Sequence, residues 1–229
     1  MKSRERFQKL KNIYEGERCF IIGNGPSLNK TALHLLKNEF TFGLNRIYLL
    51  FPKIGFHTTY FVSVNDLVIQ QCANDIENLP MPKFIGWHSR NWINFTDNLI
   101  FIRDPYDGTL GFSKDPAEKV WEGATVTYVA MQIAYYLGFE KVILIGVDHN
   151  FITKGEPHKV VVSQGPDENH FNPEYFGKGF RWQLPDLATS ERAYNLAKEH
   201  YIEDNREILD ATVEGNLTIF PKINLRDLF

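Results

Sequence analysis

The strongest folding signal in this chain is a helix pattern that leads directly into a buried strand, within residues 124–146. Between residues 124 and 137 the apolar side chains recur every three or four positions, which is the period of an α-helix with one buried face. Gly138 suits the end of that helix, and residues 141–145 form an unbroken apolar run typical of a strand buried on both faces. A helix followed by such a strand is the repeating unit of a parallel α/β sheet.

Other apolar runs continue this alternation and predict the rest of the sheet. They lie at residues 18–22, 40–44, 59–64, 83–87, 99–102 and 216–220. Helix patterns lie at residues 29–37, 66–76 and 187–200. We therefore predict an α/β fold with a Rossmann-like, doubly wound and mostly parallel sheet, in a single nucleotide-binding domain over residues 1–229.

Residues 150–186 interrupt the alternation and predict a long lid. Glycine and proline are frequent there, and long ordered loops in compact domains are often functional. The segment also carries aromatic side chains, which suit either stacking on a sugar or a small core of the lid itself. These side chains are Phe171, Tyr175, Phe176, Phe180 and Trp182.

Composition excludes several classes of protein. Lys and Arg total 25 against 28 Asp and Glu, so the net charge of -3 provides no field for binding long nucleic acid. The two cysteines give neither a disulfide framework nor a zinc spacing. No apolar stretch has the roughly 18 residues of a membrane span and no signal-peptide core is present, so we expect a cytoplasmic protein. The basic residues near the N-terminus indicate a helix face that is exposed to solvent. The alternative interpretation is peripheral contact with an anionic membrane surface.

Five small residues follow the first predicted strand and predict a nucleotide site. They are Gly23, Asn24, Gly25, Pro26 and Ser27. Ligands of open parallel sheets bind beyond the carboxyl ends of the strands, where glycines admit a phosphate and the next helix adds its amides. The run is neither a Walker loop nor the dinucleotide fingerprint, because it lacks both the Gly-Lys-Ser/Thr ending and the third glycine. A simple strand-to-helix turn is the alternative interpretation.

Polar residues at the other strand and helix ends extend this predicted site. They are Asn45, Asn65, Thr125, Thr127 and Asp148. Asparagine amides can read a base edge or ribose, threonine hydroxyls at a helix start can hold an anionic group, and a carboxylate can meet ligand hydroxyls. Each of these residues is also an ordinary turn or helix cap, and that alternative stays open.

A histidine in the predicted lid is the candidate general base. His170 is our choice, with His149 and His158 as rivals, because histidine exchanges protons near neutral pH. No His-Glu-X-X-His or Cys-X-X-Cys spacing indicates a bound metal. We therefore predict catalysis by His170 without a metal.

Several of these motifs, in this order, resemble one bacterial superfamily. They are CFIIGNGPSL at residues 19–28, GLN at 43–45, GATVT at 123–127, GFEKV at 138–142 and GVD at 146–148. The superfamily contains the CMP-sialic-acid-dependent sialyltransferases, the motility accessory factors of flagellar glycosylation and the archaeal 6-hydroxymethylpterin pyrophosphokinases. The resemblance implies a Rossmann-like fold and, in the sialyltransferases, no metal requirement. It also implies that Asn24 and Asn45 contact the CMP part of a donor and that His170 corresponds to the base.

From the residues and the resemblance together we predict a glycosyltransferase of polysaccharide or glycan synthesis. It would transfer a sialic-acid-like sugar from a CMP-linked donor to a glycan acceptor by direct displacement, and a homo-oligomer is compatible with it. One alternative is an ATP-dependent pyrophosphokinase, which would need Mg²⁺ and for which Asp66, Asp104 and Asp148 are candidate ligands. The other is a non-catalytic nucleotide-binding module.

Overall fold

The computed structural model describes residues 2–105 and 107–229, and its regular elements alternate as the sequence predicts. The strands are β1 (Arg18–Ile22), β2 (Phe40–Leu44), β3 (Tyr60–Ser63), β4 (Lys83–Gly86), β5 (Leu99–Ile102), β6 (Lys141–Ile145), β7 (Val160–Val162), β8 (Arg181–Gln183) and β9 (Glu207–Asp210). The α-helices are α1 (Lys2–Gln8), α2 (Phe51–Ile54), α3 (Asp66–Glu77), α4 (Val126–Leu137) and α5 (Leu187–Glu203).

Seven strands form one parallel sheet in the order β5-β4-β3-β2-β1-β6-β9. This confirms the predicted Rossmann-like α/β class. The chain moves to one side of β1 to build β2–β5 and then returns to its other side to build β6. The order of the strands therefore reverses between β1 and β6, and open α/β sheets bind their ligands at such a switch point.

The sheet is buried on both faces by two apolar layers. Along β1, Cys19 and Ile21 pack on the face covered by α1, α4 and α5, while Phe20 and Ile22 pack on the other face. That second face is covered by α3, by short 3₁₀ helices and by aromatic side chains of the lid. The alternation explains the continuous apolar runs of β1 and β6, because both faces of each strand lie in the core.

The lid contains a second, small sheet. Strands β7 and β8 pair antiparallel between residues 160 and 183, inside the predicted lid at 150–186. Phe171, Tyr175, Phe176 and Trp182 are buried against the sheet. The lid aromatics therefore build a core, which was one of the two interpretations that the sequence left open.

Two sequence predictions of local structure are wrong. The helix predicted at 29–37 is a pair of 3₁₀ helices, Pro26–Lys30 and Leu33–Asn38, separated by the extended Thr31. The edge strand predicted at 216–220 is absent from the described structure, and β9 forms that edge instead. The sequence does not reveal β9 as a buried strand because the strand ends in a charged residue, Asp210. Asp210 is buried, and Lys222 Nζ pairs with its carboxylate at 2.6 Å.

Within residues 2–105 and 107–229, none of the helices has the length and apolar character that a membrane span requires.

Candidate functional site: a cleft at the carboxyl edge of the sheet

A cleft of about 300 Å³ lies beyond the carboxyl ends of β1, β2, β3 and β6, under the lid. It brings together nine of the residues that the sequence predicted for the site. They are Gly23, Asn24, Gly25, Asn45, Asn65, Thr125, Thr127, Asp148 and His170. Pro26 and Ser27 belong to the same turn but do not line the cleft. The cleft therefore lies at the switch point of the sheet.

Asp148 and Ser27 bind each other across this edge of the sheet. The Asp148 carboxylate accepts the backbone N–H of Ser27 at 3.0 Å and its hydroxyl at 2.6 Å. The groups of Ser27 that the sequence offers to a phosphate are thus already bonded to a carboxylate of the protein. An anionic ligand in this cleft needs a different set of donors.

The two glycines of the turn are required by this contact between strand ends. A Cβ on Gly25 would lie 1.8 Å from Asp148 Oδ2, and a Cβ on Gly23 would lie 2.3 Å from the carbonyl oxygen of Gly146. Neither distance is compatible with a side chain. The sequence analysis expected these glycines to let a phosphate come close to the backbone. In the structure, the chain that leaves β6 occupies that close position instead. Both glycines also line the cleft.

The N-terminus of α4 borders the cleft. Gly123 and Ala124 both have positive φ, 54° and 58°, and turn the chain into the helix beside the cleft. Thr125 is the N-cap, and its side chain accepts the N–H of Thr127 at 3.3 Å. The N–H groups of Thr125 and Thr127 are bonded to Glu122 and to the Thr125 side chain, so the attraction for an anion comes from the helix dipole, which places about half a positive charge at this end. The prediction that Thr125 and Thr127 start an anion-binding helix stays a prediction, with favourable geometry.

Asn24 carries an acceptor without a partner. Its Nδ2 donates to the carbonyl oxygen of Leu44 at 3.0 Å, which fixes the orientation of the amide. Its Oδ1 is one of two buried side-chain polar atoms that lack a hydrogen bond among the described residues. A buried acceptor left unpaired costs about 1–3 kcal/mol. A ligand N–H or O–H at this position would remove that cost.

The other two asparagines are partly engaged in structural contacts. Asn45 has a φ of 49°, and its Oδ1 accepts the hydroxyl of Ser63 at 2.9 Å. Asn65 caps α3, because its Oδ1 accepts the N–H of Val68 at 3.2 Å. Its Nδ2 donates to Gln183 of β8 at 3.0 Å. Asn65 therefore holds the lid to the sheet, and the alternative of a helix cap applies to it.

Three histidines line the cleft, and each of them contacts a carboxylate. His170 Nδ1 lies 2.7 Å from Asp167 Oδ2, His149 Nε2 lies 2.8 Å from Glu191, and His158 Nε2 lies 3.2 Å from Asp186. The ring of Tyr175 stacks on His170 with ring centres 4.0 Å apart and an angle of 12°. These contacts fix the plane of the His170 ring.

An acidic group that the sequence analysis missed completes the cleft. Glu122 lines it, and burial together with the charges of Asp104 and Asp66 raises the pKa of Glu122 to about 8. His88 lies between two of these carboxylates, with Nε2 2.9 Å from Asp66 and Nδ1 3.7 Å from Glu122. In the sequence, Glu122 is only the residue before Gly123, and that position gives no signal for a role in the cleft.

The carboxylates proposed for Mg²⁺ converge only in part. The charges of Asp104 and Asp66 both raise the pKa of Glu122, whereas Asp148 binds Ser27. Within the part of the chain that the structure describes, no three acidic, histidine or cysteine side chains are placed to hold a metal ion.

The lid is attached to the glycine turn and to the end of β2. The N–H of Phe171 donates to the carbonyl oxygen of Asn24 at 2.9 Å, and Asn29 Nδ2 donates to that of Phe171 at 2.8 Å. The Arg46 guanidinium donates to the carbonyl oxygens of Glu174 and Tyr175. The lid therefore covers the cleft in this structure.

The fold and the cleft define a Rossmann-like α/β protein with its ligand site at the switch point of the sheet. Residues 1–154 match the family model described as 6-hydroxymethylpterin diphosphokinase MptE-like, so the chain belongs to the MptE-like family. This confirms the superfamily that the motif order indicates.

Among solved structures, the chain is similar to the MAf glycosyltransferase from Magnetospirillum magneticum AMB-1, with a TM-score of 0.60 and 14% sequence identity. The match covers 99% of this chain and 38% of that chain, and at this identity it shows a shared fold. A comparison with curated proteins gave no match.

Proposed function

We propose that this protein is a glycosyltransferase that uses a CMP-linked sugar donor. The observation that carries the proposal is the charge of the cleft. Its lining includes the N-terminus of α4, three histidines and the carboxyl groups of Glu122, Asp148 and Asp186, and no Lys or Arg among the described residues. The fold shared with the MAf glycosyltransferase supports the same class of reaction. The sialic-acid-like sugar and the glycan acceptor rest on the motif resemblance.

The charge of the donor fits this cleft better than that of a nucleoside triphosphate. The phosphodiester of a CMP-linked sugar carries a single negative charge, and a sialic-acid-like sugar adds the charge of its carboxylate. A helix N-terminus of about half a positive charge can hold the phosphodiester. The triphosphate of ATP carries up to about four negative charges and is normally bound with Lys, Arg or Mg²⁺. We therefore expect the transferase to work without a metal.

We assign two parts of the donor, the nucleoside and the phosphate, to groups of the cleft. The unpaired Oδ1 of Asn24 accepts an N–H or O–H of the cytosine or ribose, and the phosphate lies at the positive end of α4, beside Thr125 and Thr127. The acceptor hydroxyl attacks the sugar carbon, the bond from that carbon to the phosphate oxygen breaks, and CMP leaves with the electron pair. His170 takes the proton of the hydroxyl. The lid excludes water that would otherwise hydrolyse the donor.

A pyrophosphokinase is the second candidate, and the name of the family model favours it. Glu122 lines the cleft, and Asp66 lies on the other side of His88 from it; their two carboxyl groups would be the ligands for Mg²⁺. The reaction would then transfer diphosphate from ATP to a small alcohol. Its dependence on Mg²⁺ separates it from the transferase.

A thermal-shift panel of CMP, CDP, UDP, GDP and ATP, with and without Mg²⁺, tests these proposals. At 100 times its dissociation constant CMP should add about 2.7 kcal/mol of stability, which raises Tm by several degrees. Turnover of CMP-linked sugars should persist in EDTA. A shift with ATP and Mg²⁺ alone favours the pyrophosphokinase, binding of CMP without turnover of any CMP-linked sugar favours the non-catalytic module, and no shift with any nucleotide refutes a nucleotide site.

Asn24→Ala provides the residue-level test of the same proposal. Removing the unpaired acceptor should weaken CMP binding by about fivefold or more, because a hydrogen bond of this kind contributes about 1 kcal/mol or more. Asn78→Ala makes the same change outside the cleft and should leave binding unchanged. Equal CMP affinity in the two variants would contradict the role of Asn24.

A further inference from the structure

The three histidine–carboxylate pairs of the cleft differ in the burial of the carboxylate. The side chain of Asp167 is 3% exposed, whereas that of Asp186 is 16% exposed and that of Glu191 is 53% exposed. A solvated carboxylate holds a side chain weakly, because water competes for it and long side chains move. Of the three carboxylates, Asp167, the partner of His170, is therefore the one most shielded from water.

Asp167 is itself fixed by the backbone of the lid. Its Oδ1 accepts the N–H of Asn169 at 2.7 Å, and its Oδ2 accepts the N–H of Phe176 at 2.9 Å. Burial opposes its ionisation, but the hydrogen bonds from His170 and from these two amides hold the pKa of Asp167 below its usual value. Asp167 thus presents a charged oxygen in one position to the His170 ring.

The ring of His170 is held on its face as well as at its edge. Tyr175 stacks on it, and the hydroxyl of Tyr175 accepts the N–H of Arg46 at 3.3 Å. Arg46 follows directly on the cleft residue Asn45. The position of the imidazole is therefore tied both to the lid and to the end of β2.

We propose that Asp167 is the positioning residue of the reaction, which holds His170 with its proton on Nδ1 and its lone pair on Nε2. The carboxylate accepts a hydrogen bond from Nδ1–H, so Nε2, on the opposite edge of the ring, takes the proton of the acceptor hydroxyl. The imidazolium that forms then has a negative charge beside it until CMP has left and the proton is released to water. The role of Asp167 in turnover rests on the proposed function, whereas the position of the proton on the His170 ring does not.

The tautomer of His170 is the first test, because an ionised Asp167 at 2.7 Å from Nδ1 requires the proton on that nitrogen and leaves Nε2 free to accept one. Two-bond ¹H–¹⁵N spectra of the full chain labelled with ¹⁵N-histidine report which ring nitrogen carries the proton in the neutral form. His170→Gln identifies the signal by its loss. We expect the proton on Nδ1; a proton on Nε2 in the wild-type protein overturns the proposal, whichever nucleotide the protein binds.

Turnover of the CMP-linked donor is the second test. Asp167→Asn should lower kcat by about 100-fold or more with KM within about threefold, because a misplaced base loses most of its contribution. Glu191→Gln makes the corresponding change at His149 and should leave kcat within about threefold. Equal kcat in wild type and Asp167→Asn overturns the positioning role while leaving the transferase proposal intact. If Asp167→Asn does not fold, the wild-type tautomer alone decides.

Discussion

At the scale of single residues, Glu122 shows how the fold changes the chemistry of a side chain. Nothing around Glu122 in the sequence marks it, yet it lines the cleft next to the pair formed by Asp66 and His88. Burial and the two neighbouring aspartates raise its pKa from 4.5 to about 8. Its carboxyl group is therefore protonated in the folded protein at pH values where it is ionised in the unfolded chain.

This pKa shift predicts a dependence of stability on pH. The folded state binds one more proton than the unfolded state between pH 4.5 and about 8, so stability falls as pH rises through that window. The contribution is fully present below pH 4.5 and lost above about 8. Glu122→Gln lacks the ionisation, so its Tm relative to wild type should rise by at least about 2 °C between pH 5 and pH 9.

Thermal denaturation of both proteins at pH 5, 7 and 9 measures the effect. The difference between variant and wild type removes the contributions of the other titrating groups. Glu156→Gln, at an exposed position of the lid, is the control and should track the wild type. A constant difference between Glu122→Gln and wild type across this range would contradict the raised pKa.

At the scale of elements, the ends of β1 and β6 are bound together by a contact that allows no side chain. Gly25 packs on the Asp148 carboxylate, and that carboxylate binds the turn through Ser27. The two elements lie far apart in the chain but side by side in the sheet. Their contact fixes the wall of the cleft.

Gly25→Ala should therefore destabilise the protein. The added Cβ would displace Asp148 from Ser27, and forcing a methyl group into a packed site costs about 1–3 kcal/mol. Denaturant unfolding measures the loss. Gly165→Ala is the matched control, because its Cβ meets no atom within 4 Å and the change should be neutral or slightly stabilising. Equal stabilities of the two variants would show that the contact is dispensable.

At the scale of the whole molecule, contacts between the lid and the ends of the sheet hold the lid over the cleft. Arg46, after β2, donates to carbonyl oxygens of the lid, and its guanidinium lies 5.0 Å from the ring centre of Phe180. Asn65 and Gln71 bind the lid from the side of α3. The state of the lid is therefore linked to the residues that line the cleft.

Arg46→Ala should loosen the lid without unfolding the sheet. Amide hydrogen exchange of residues 171–180 should become faster by about tenfold or more, since several contacts of the segment are lost. For the proposed transferase, the ratio of donor hydrolysis to sugar transfer should rise, because water then enters the cleft. Lys178→Ala, at an exposed position of the same segment, should change neither measurement. Unchanged exchange in Arg46→Ala would show that other contacts hold the lid.

The sequence alone predicted those features of the fold that depend on local spacing. The period of residues 124–137 places one face of α4 in the core, and the apolar runs of β1 and β6 mark strands covered on both faces. Prediction from the sequence failed at β9, where the buried ion pair of Asp210 interrupts the apolar pattern. It also failed at Pro26, which starts a 3₁₀ helix.

The cleft, in contrast, was determined by the tertiary structure. The sequence identified Gly23, Asn24 and His170 as candidates, because polar and small residues at strand ends are a local signal. It did not show that Asp148 binds Ser27, 121 positions away, or that Asp66 and Glu122 approach His88. Such pairs carry no signature in the spacing of residues, because parallel strand order brings distant chain segments together. Residue spacing thus determined the strands and helices of this protein, and their packing decided which side chains meet in the cleft.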